Sequence, residues 1–281
     1  MTLPDFLIIG AMKCGTSTLQ TQLAAQQGIF MCDPKEPNFF SDDAIYAKGL
    51  DWYESLFAAA APGDLKGEAS THYTKLPTYP ETLPRLRAVL SGPRLIYVIR
   101  NPLVRAVSHY VHEWTQGVIT GDLDRAIDRH PELIAYGRYG EQIAPWAEAF
   151  GAGNILLLSL EEMQADPQGV LDRTGAFLRH PGPVVWRAET ARVNVSAERV
   201  RRLPLQGLLI DNPVATALRR ALVPKAIRAR IRASRQMQDR PVLTPERQRA
   251  LEQVFAEDRA RLVALFPGAP ALSAAYPFLT S

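Results

Sequence analysis

A lysine and three hydroxyl residues follow the first apolar run of this chain. The run Phe6–Ile9 stops at Gly10, and the next residues lead through Lys13 to a segment that can form a helix. A buried strand that ends in a glycine-containing turn before a helix is typical of phosphate sites, because backbone N–H groups and the helix N-terminus face the anion and a lysine adds charge. This pattern predicts a phosphate-binding loop made of Lys13, Cys14, Gly15, Thr16, Ser17 and Thr18.

The position of the lysine separates this loop from the one that binds magnesium nucleotides. A nucleotide-triphosphatase loop reads G-x-x-x-x-G-K-[ST], with the lysine directly after the second glycine. Here Gly10 and Gly15 have that spacing, but Lys13 lies between them. The sequence therefore favours a phosphate cradle without the magnesium-nucleotide arrangement. An ATP-dependent kinase or nucleotidase is the alternative, with Glu161 as the nearest candidate for its acidic residue.

An arginine and a serine follow a second apolar run. Arg94–Arg100 reads as a buried strand, Pro102 suits the first turn of a helix, and Ser108 lies on that helix. Both Arg100 and Ser108 can therefore face the carboxyl edge of a parallel sheet, where α/β proteins bind ligands. A guanidinium there suits a phosphate, although Arg100 taken alone is equally well explained as an ion-pair residue.

Glu36 lies between two prolines and is followed by two phenylalanines. On such a stiff, partly apolar loop we expect burial to raise the pKa of Glu36 toward that of a useful base. An exposed loop glutamate is the alternative for this segment on its own.

Together these three segments resemble the sulfotransferase superfamily, in the branch shared by heparan sulfate sulfotransferases and many bacterial sulfotransferases. The resemblance continues through Gly67–Tyr73 and covers about the first 180 residues. It implies that the donor is 3′-phosphoadenosine 5′-phosphosulfate (PAPS), with the first loop on the 5′-phosphosulfate and Arg100 and Ser108 on the 3′-phosphate. It also implies that Glu36 is the base and that Lys13 assists the leaving oxygen, without a metal ion.

Two departures from the family pattern concern cations and donor contacts. The heparan sulfate enzymes carry a lysine early in the segment that corresponds to Gly67–Tyr73, and this chain has none there. That function is absent, or Lys35 or His72 has taken it over; His72 is also the second candidate for the base. The family's late donor loop has no clean match, and Arg192–Asn194 with Ser196, or the basic stretch that follows, is the candidate replacement.

The pattern of apolar runs predicts an α/β fold. We expect a three-layer, P-loop-like arrangement in which helices flank a central, mostly parallel sheet, with a helical C-terminal part. The predicted strands are 5–10, 28–31, 65–69, 94–100 and 154–160. The predicted helices are 16–27, 48–59, 83–90, 102–114, 167–178 and 245–266, the last with Leu251, Val254, Phe255, Leu262 and Leu265 as its core stripe.

Length and charge suggest one domain with a basic appendage. The 281 residues form a single predicted domain, in which 197–242 is a helical accessory segment that packs on it or covers the cleft. Between Arg201 and Arg240 there are ten Lys or Arg residues and two acids. This stretch is either a solvated face or a surface that contacts an acidic or lipid acceptor.

Composition also bounds the partners and the compartment. The formal charge of +3 suits an anionic ligand and does not call for nucleic acid. Two cysteines, no visible signal peptide and no apolar run of about 18 residues predict a soluble, cytoplasmic protein. The acceptor, which can be a glycan, glycolipid, peptide or small metabolite, and the oligomeric state stay open.

Overall fold

Five parallel strands form the centre of the fold. The computed structural model describes residues 2–189, 237 and 239–279. Its strands are β1 (Phe6–Gly10), β2 (Ile29–Met31), β3 (Leu65–Ala69), β4 (Arg94–Ile99) and β5 (Ile155–Ser159). They lie in the order β2-β3-β1-β4-β5, and every neighbouring pair is parallel. The predicted α/β fold is confirmed.

The sequence of the two central strands explains their position. Residues 6–9 of β1 and 95–99 of β4 are all 0% exposed. Strands covered by helices on both faces need apolar side chains at successive positions rather than alternating ones. The continuous runs Phe6–Ile9 and Leu95–Ile99 meet that need.

Helices follow the strands and cover the sheet. Within the described residues they are α1 (Thr16–Ala24), α2 (Asp43–Tyr46), α3 (Leu50–Ser55), α4 (Thr82–Val89), α5 (Pro102–Gln116), α6 (Leu123–Arg129), α7 (Glu132–Ala135), α8 (Tyr139–Phe150), α9 (Leu160–Ala165), α10 (Pro167–Leu178), α11 (Pro245–Leu265) and α12 (Ala271–Ala274). Short 3-10 helices span Thr71–Thr74, Ala152–Asn154 and Pro277–Leu279. The predicted helix 48–59 begins later, because Gly49 precedes α3 with φ +83°.

The strand order creates one crevice at the carboxyl edge of the sheet. The chain leaves β1 toward β2 on one side and leaves β4 toward β5 on the other. Ligands in such sheets bind where the order reverses, outside the carboxyl ends of the strands. The segments after β1, β3 and β4 therefore border the same crevice.

The C-terminal helix α11 is attached to α8 by a buried carboxylate. Leu251, Phe255 and Leu262 are buried as predicted, while Val254 and Leu265 are only partly covered. Asp258 is 3% exposed and accepts hydrogen bonds from the backbone N–H of Gly140 (2.7 Å) and Glu141 (2.9 Å). A Cβ atom at position 140 would lie 2.5 Å from the Asp258 carbonyl oxygen, so only glycine permits this approach.

Some of the sequence-based predictions concern residues outside the described ranges. The accessory segment 197–242 lies outside the described residues apart from 237 and 239–242, and so do Arg192–Asn194 and Ser196.

Cys14 and Cys32 are free, buried thiols. Of the helices in the described ranges, none combines the length and the apolar character that crossing a membrane requires.

We predict that Asp258→Ala lowers the free energy of unfolding by about 1–3 kcal/mol, because two buried N–H groups at the start of α8 lose their acceptor. Urea titration followed by circular dichroism measures the change. Glu257→Ala is the matched control, since its neighbouring carboxylate on α11 is exposed. Equal stability of the two variants would contradict the assigned role.

Candidate active site

The turn between β1 and α1 has a backbone shape that depends on its glycine. Gly15 has φ +87° and precedes the first residue of α1, and Lys13 has φ +68°. A Cβ atom on Gly15 would also lie 2.8 Å from Leu160 Cδ1. Within the described residues, no hydrogen bond uses the N–H of Gly15, Thr16 or Ser17. The first turn of α1 therefore offers donors for an anion, as the sequence predicts.

The side chains of the predicted loop point in different directions. Cys14 is 0% exposed, and its Sγ lies 3.4 Å from the Tyr139 hydroxyl. Its side chain is thus part of the core, and its backbone N–H donates to the Ala11 carbonyl (3.2 Å) rather than to a ligand. Thr16 is buried, whereas Lys13, Ser17 and Thr18 are half-buried.

Arg100 joins the second motif to the first. Its Nη1 donates to the carbonyl oxygen of Lys13 (3.3 Å), and its own carbonyl accepts from the Tyr139 hydroxyl (2.9 Å). Ser108 lies half-buried on α5, and its hydroxyl forms no hydrogen bond with the described residues. The structure therefore brings Lys13 and Arg100 together, while Ser108 lies further along α5.

The charge on Lys13 connects the loop with two acidic groups. Burial and then Arg100 lower the pKa of Lys13, and Glu113 and Glu36 oppose that shift. Lys13 is therefore within electrostatic reach of the Glu36 segment and of the C-terminal part of α5, at the carboxyl edge of the sheet.

The Glu36 segment is fixed on the end of β3. The N–H of Glu36 donates to the Ala69 carbonyl (3.0 Å), and the N–H of Asn38 donates to Ser70 Oγ (3.2 Å). Glu36 and Asn38 have φ +58° and +53°. Behind them, the ring of Phe39 stacks on the ring of Tyr53 with 4.6 Å between their centroids. These contacts fix the position from which the Glu36 carboxylate meets the cleft.

The expected rise in the pKa of Glu36 is wrong. Burial pushes its pKa up, but Lys35, whose Nζ lies 2.7 Å from Oε1, pushes it down. Lys75 and the Thr71 hydroxyl, which donates to the same oxygen at 3.2 Å, act in the same direction. The net pKa is lower than usual, so Glu36 is a carboxylate at neutral pH.

His72, the second candidate for the base, lies beside Tyr79 and not in an ion pair. Its ring stacks on that of Tyr79 with centroids 4.6 Å apart, and its buried Nδ1 has no hydrogen-bond partner. Burial and then Lys75 lower the pKa of His72 to about 4. A neutral imidazole at pH 7 cannot replace the charge of a missing lysine.

Two charged residues of the cleft were missed by the sequence analysis. Glu113, on α5, lies 3.5 Å from His109 Nε2, and His109 in turn stacks on Tyr136. Lys75 is 7% exposed and lowers the pKa of both Glu36 and Glu113. Lys75 belongs to no local pattern. The helical spacing of His109, His112 and Glu113 was the available signal for Glu113.

Glu161 does not serve the arrangement that a kinase needs. Its Oε1 accepts the backbone N–H of Asn101 (2.9 Å), so the carboxylate holds the turn after Arg100. Among the residues that the structure describes, no three His, Cys, Asp or Glu side chains form a group able to hold a metal ion.

A buried carboxyl group lies in the strand that supports the Glu36 segment. Glu68 of β3 is 0% exposed, and the hydroxyls of Tyr53 and Tyr73 face it without forming hydrogen bonds of regular geometry. Burial raises the pKa of Glu68 to about 8. Glu68 is therefore protonated at neutral pH.

The structure combines an open parallel sheet, a phosphate-type loop after the central strand and an arginine beside that loop. This combination defines the class of P-loop-like α/β proteins. Within this class the chain belongs to the sulfotransferase family, because the family model of the sulfotransferase domain matches residues 3–207. The resemblance drawn from the motifs is thus confirmed.

Curated relatives and solved structures agree with this assignment. Heparan sulfate glucosamine 3-O-sulfotransferase 3B1 of Mus musculus is 32% identical over 188 residues, which are 63% of this chain and 46% of the relative. The match thus spans about half the length of that relative.

Two solved structures share the fold. A sulfotransferase from Alicyclobacillus acidocaldarius superposes with a TM-score of 0.67 at 24% identity, over 94% of this chain and 96% of that one. Mouse sulfotransferase SULT7A1 complexed with PAP superposes with a TM-score of 0.52 at 16% identity, over 99% of this chain and 88% of that one.

We predict that Glu68 makes a contribution to stability that falls between about pH 6.5 and 8 by up to about 1.4 kcal/mol per pH unit. The folded state keeps this proton up to pH about 8, whereas the unfolded chain loses it near 4.5, so stability is lost as the pH rises. His72 and His109 still bind protons near pH 6.5 in the unfolded chain only, and Lys75 loses its proton near pH 8 in the folded state only. These groups add slopes of the opposite sign at the two ends of the window, so the contribution of Glu68 is the difference between the wild type and Glu68→Gln.

Glu68→Gln should remove this slope, which urea titrations at several pH values measure. Glu148→Gln, at an exposed position on α8, is the control and should keep it. Equal slopes in Glu68→Gln and in the wild type would contradict this role of Glu68.

Proposed function

We propose that this chain transfers a sulfuryl group from PAPS to a hydroxyl or amine of an acceptor. One observation carries the proposal: the loop with Lys13, the Arg100 guanidinium and the Glu36 carboxylate border a single cleft at the carboxyl edge of the sheet. The cleft thus contains groups for a donor phosphate and, near them, a carboxylate that can accept a proton.

The donor would bind across the turn after β1 and the turn after β4. The N–H groups of the first turn of α1, with the hydroxyls of Thr16, Ser17 and Thr18, suit the 5′-phosphosulfate. Arg100 and Ser108 suit the 3′-phosphate, because a guanidinium fork matches phosphate oxygens. PAP in the mouse sulfotransferase of similar fold supports this choice of donor.

Glu36 would accept the proton of the acceptor as the acceptor oxygen or nitrogen attacks sulfur. The S–O bond to the 5′-phosphate breaks at the same time, and adenosine 3′,5′-bisphosphate (PAP) leaves with the electron pair. Lys13 stabilises the charge that develops on the leaving oxygen. Positioning and electrostatics supply the catalysis, and this scheme uses no metal because the positive charge comes from Lys13 and the loop N–H groups.

Phosphoryl transfer from ATP fits this cleft less well. Lys13 lies within the turn rather than after the second glycine, and Glu161 holds the N–H of Asn101. We therefore retain sulfuryl transfer as the proposed function. The acceptor is proposed as a glycan, glycolipid or small metabolite, and the relative from Mus musculus, which is named for heparan sulfate glucosamine, supports the first of these.

The proposed enzyme is a single sulfotransferase domain over 1–281 that acts in the cytoplasm, with 197–242 as its accessory segment. Two unpaired thiols, Cys14 and Cys32, support a reducing compartment. The basic character of 201–240 supports contact with an acidic or lipid acceptor.

We predict that Lys13→Ala and Arg100→Ala each weaken the binding of PAP by about tenfold or more, because each removes a positive charge from a phosphate site. Isothermal titration calorimetry with PAP measures the affinities. Arg94→Ala is the matched control, since Arg94 stands at the opposite end of the same strand β4. Unchanged affinity in both variants would refute the donor site.

We predict that Glu36→Gln lowers turnover by about a hundredfold or more while the affinity for PAP changes less than about twofold. The assay uses labelled PAPS and fractionated cell extract as the source of acceptor. Glu81→Gln, an exposed substitution, is the control. Turnover that survives in Glu36→Gln and is lost in His72→Gln would make His72 the base.

A further inference from the structure

Lys75 is a buried lysine whose ammonium group lacks an anionic partner. The residue is 7% exposed, and its Nζ makes no hydrogen bond or ion pair with the residues that the structure describes. Among the described residues, its ammonium lies over the ring of Tyr136, whose centroid is 5.7 Å away. Leaving a buried ammonium unpaired costs folding free energy, so its presence calls for an anion that the protein alone does not supply.

The backbone on both sides of Lys75 is held firmly. The hydroxyl of Thr74 donates to the carbonyl of Ile9 in β1 (2.9 Å). On the other side, the buried carboxamide of Gln142 bonds both the N–H (2.7 Å) and the carbonyl (2.9 Å) of Leu76. The backbone of Lys75 is therefore anchored between β1 and α8, so its position does not depend on a bound ligand.

These backbone contacts place Lys75 near the start of the loop between β1 and α1. A Cβ atom on Gly10, the last residue of β1, would overlap the hydroxyl of Thr74. The residue next to Lys75 thus contacts the point where the chain leaves β1 for Lys13. The side chain also acts electrostatically on Glu36, on the base segment, and on His112 and Glu113, on α5. Lys75 is thus within electrostatic reach of the proposed base and follows a residue that packs against the donor loop.

Apart from Lys13, which the proposed scheme assigns to the leaving oxygen, the other positive groups near this place already have partners. Lys35 pairs with Glu36 at 2.7 Å, and Arg100 donates to the Lys13 carbonyl. Arg105 donates to the Leu133 carbonyl and lies beside the ring of His109. The ammonium of Lys75 remains available.

We propose that Lys75 is a catalytic residue that contacts the transferred sulfuryl group. In an in-line transfer the sulfur lies between the acceptor atom, next to Glu36, and the leaving oxygen, next to Lys13. The three outer oxygens of the group then point sideways, where the ammonium of Lys75 would meet them. As the S–O bond to the phosphate breaks and the bond to the acceptor forms, Lys75 stabilises the negative charge on these oxygens.

This inference rests on the proposed function, and binding measurements separate the two. PAPS carries the sulfuryl group and PAP does not, so a contact with that group affects only PAPS. Lys75→Met keeps most of the side-chain volume and removes the charge. We expect the ratio of Kd for PAPS to Kd for PAP to rise about tenfold in Lys75→Met, with Kd for PAP changed less than about twofold.

Two further measurements complete the test. Lys48→Met is the matched control, because Lys48 also lies over an aromatic ring (4.4 Å from the Trp52 centroid) but is exposed, and its ratio should equal that of the wild type. Lys75→Met should also melt at the same or a higher temperature, since an unpaired buried charge is removed.

An unchanged ratio, equal weakening of both ligands, or a lower melting temperature in Lys75→Met would overturn the assignment of Lys75. If the wild-type protein bound neither PAP nor PAPS, the proposed function itself would be refuted.

Discussion

The turn between β1 and α1 is the constraint on which the rest of the structure depends. Four separate parts of the chain contact it: Thr74 bonds the last residues of β1, Arg100 bonds the Lys13 carbonyl, Tyr139 contacts Cys14, and Leu160 packs against Gly15. Each contact leaves little space, and two of them exclude a side chain at Gly10 or Gly15. Strands β3, β4 and β5 and helix α8 are therefore arranged around a backbone shape whose N–H groups are directed to an anion.

The buried charges around this turn favour ligand binding over stability. Lys13 and Lys75 have their pKa lowered mainly by burial, and neither ammonium forms an ion pair with the described residues. Fully buried Arg105 has hydrogen bonds to a carbonyl and an imidazole but not to a carboxylate in those ranges. A fold selected for stability alone would pair such groups or replace them with apolar residues. Unpaired cations in one cleft are what a site for an anionic donor requires.

The sequence predicted what local patterns encode. Continuous apolar runs gave the strands, and residue spacing gave the turn at Lys13, Arg100 and the Glu36 segment. Asp258 was not found, because a carboxylate within a helix normally faces solvent, and only the approach of Gly140 makes it an acceptor. Lys75 was not found for a similar reason: its place follows from Gln142, a residue far away in the chain. Long-range contacts of this kind leave no trace in spacing.

The pKa of Glu36 shows how such contacts govern the chemistry. Its loop alone suggests a raised pKa, yet Lys35 and Lys75 lower it. A carboxylate held by two cations is a weak base, and a sulfuryl group brought next to the same cations adds negative charge that competes for them. The proposed donor therefore raises the pKa of Glu36 when it binds. In the proposed scheme, proton acceptance by Glu36 is therefore strongest when the sulfuryl group is in place, which couples the proposed base to the donor through Lys75.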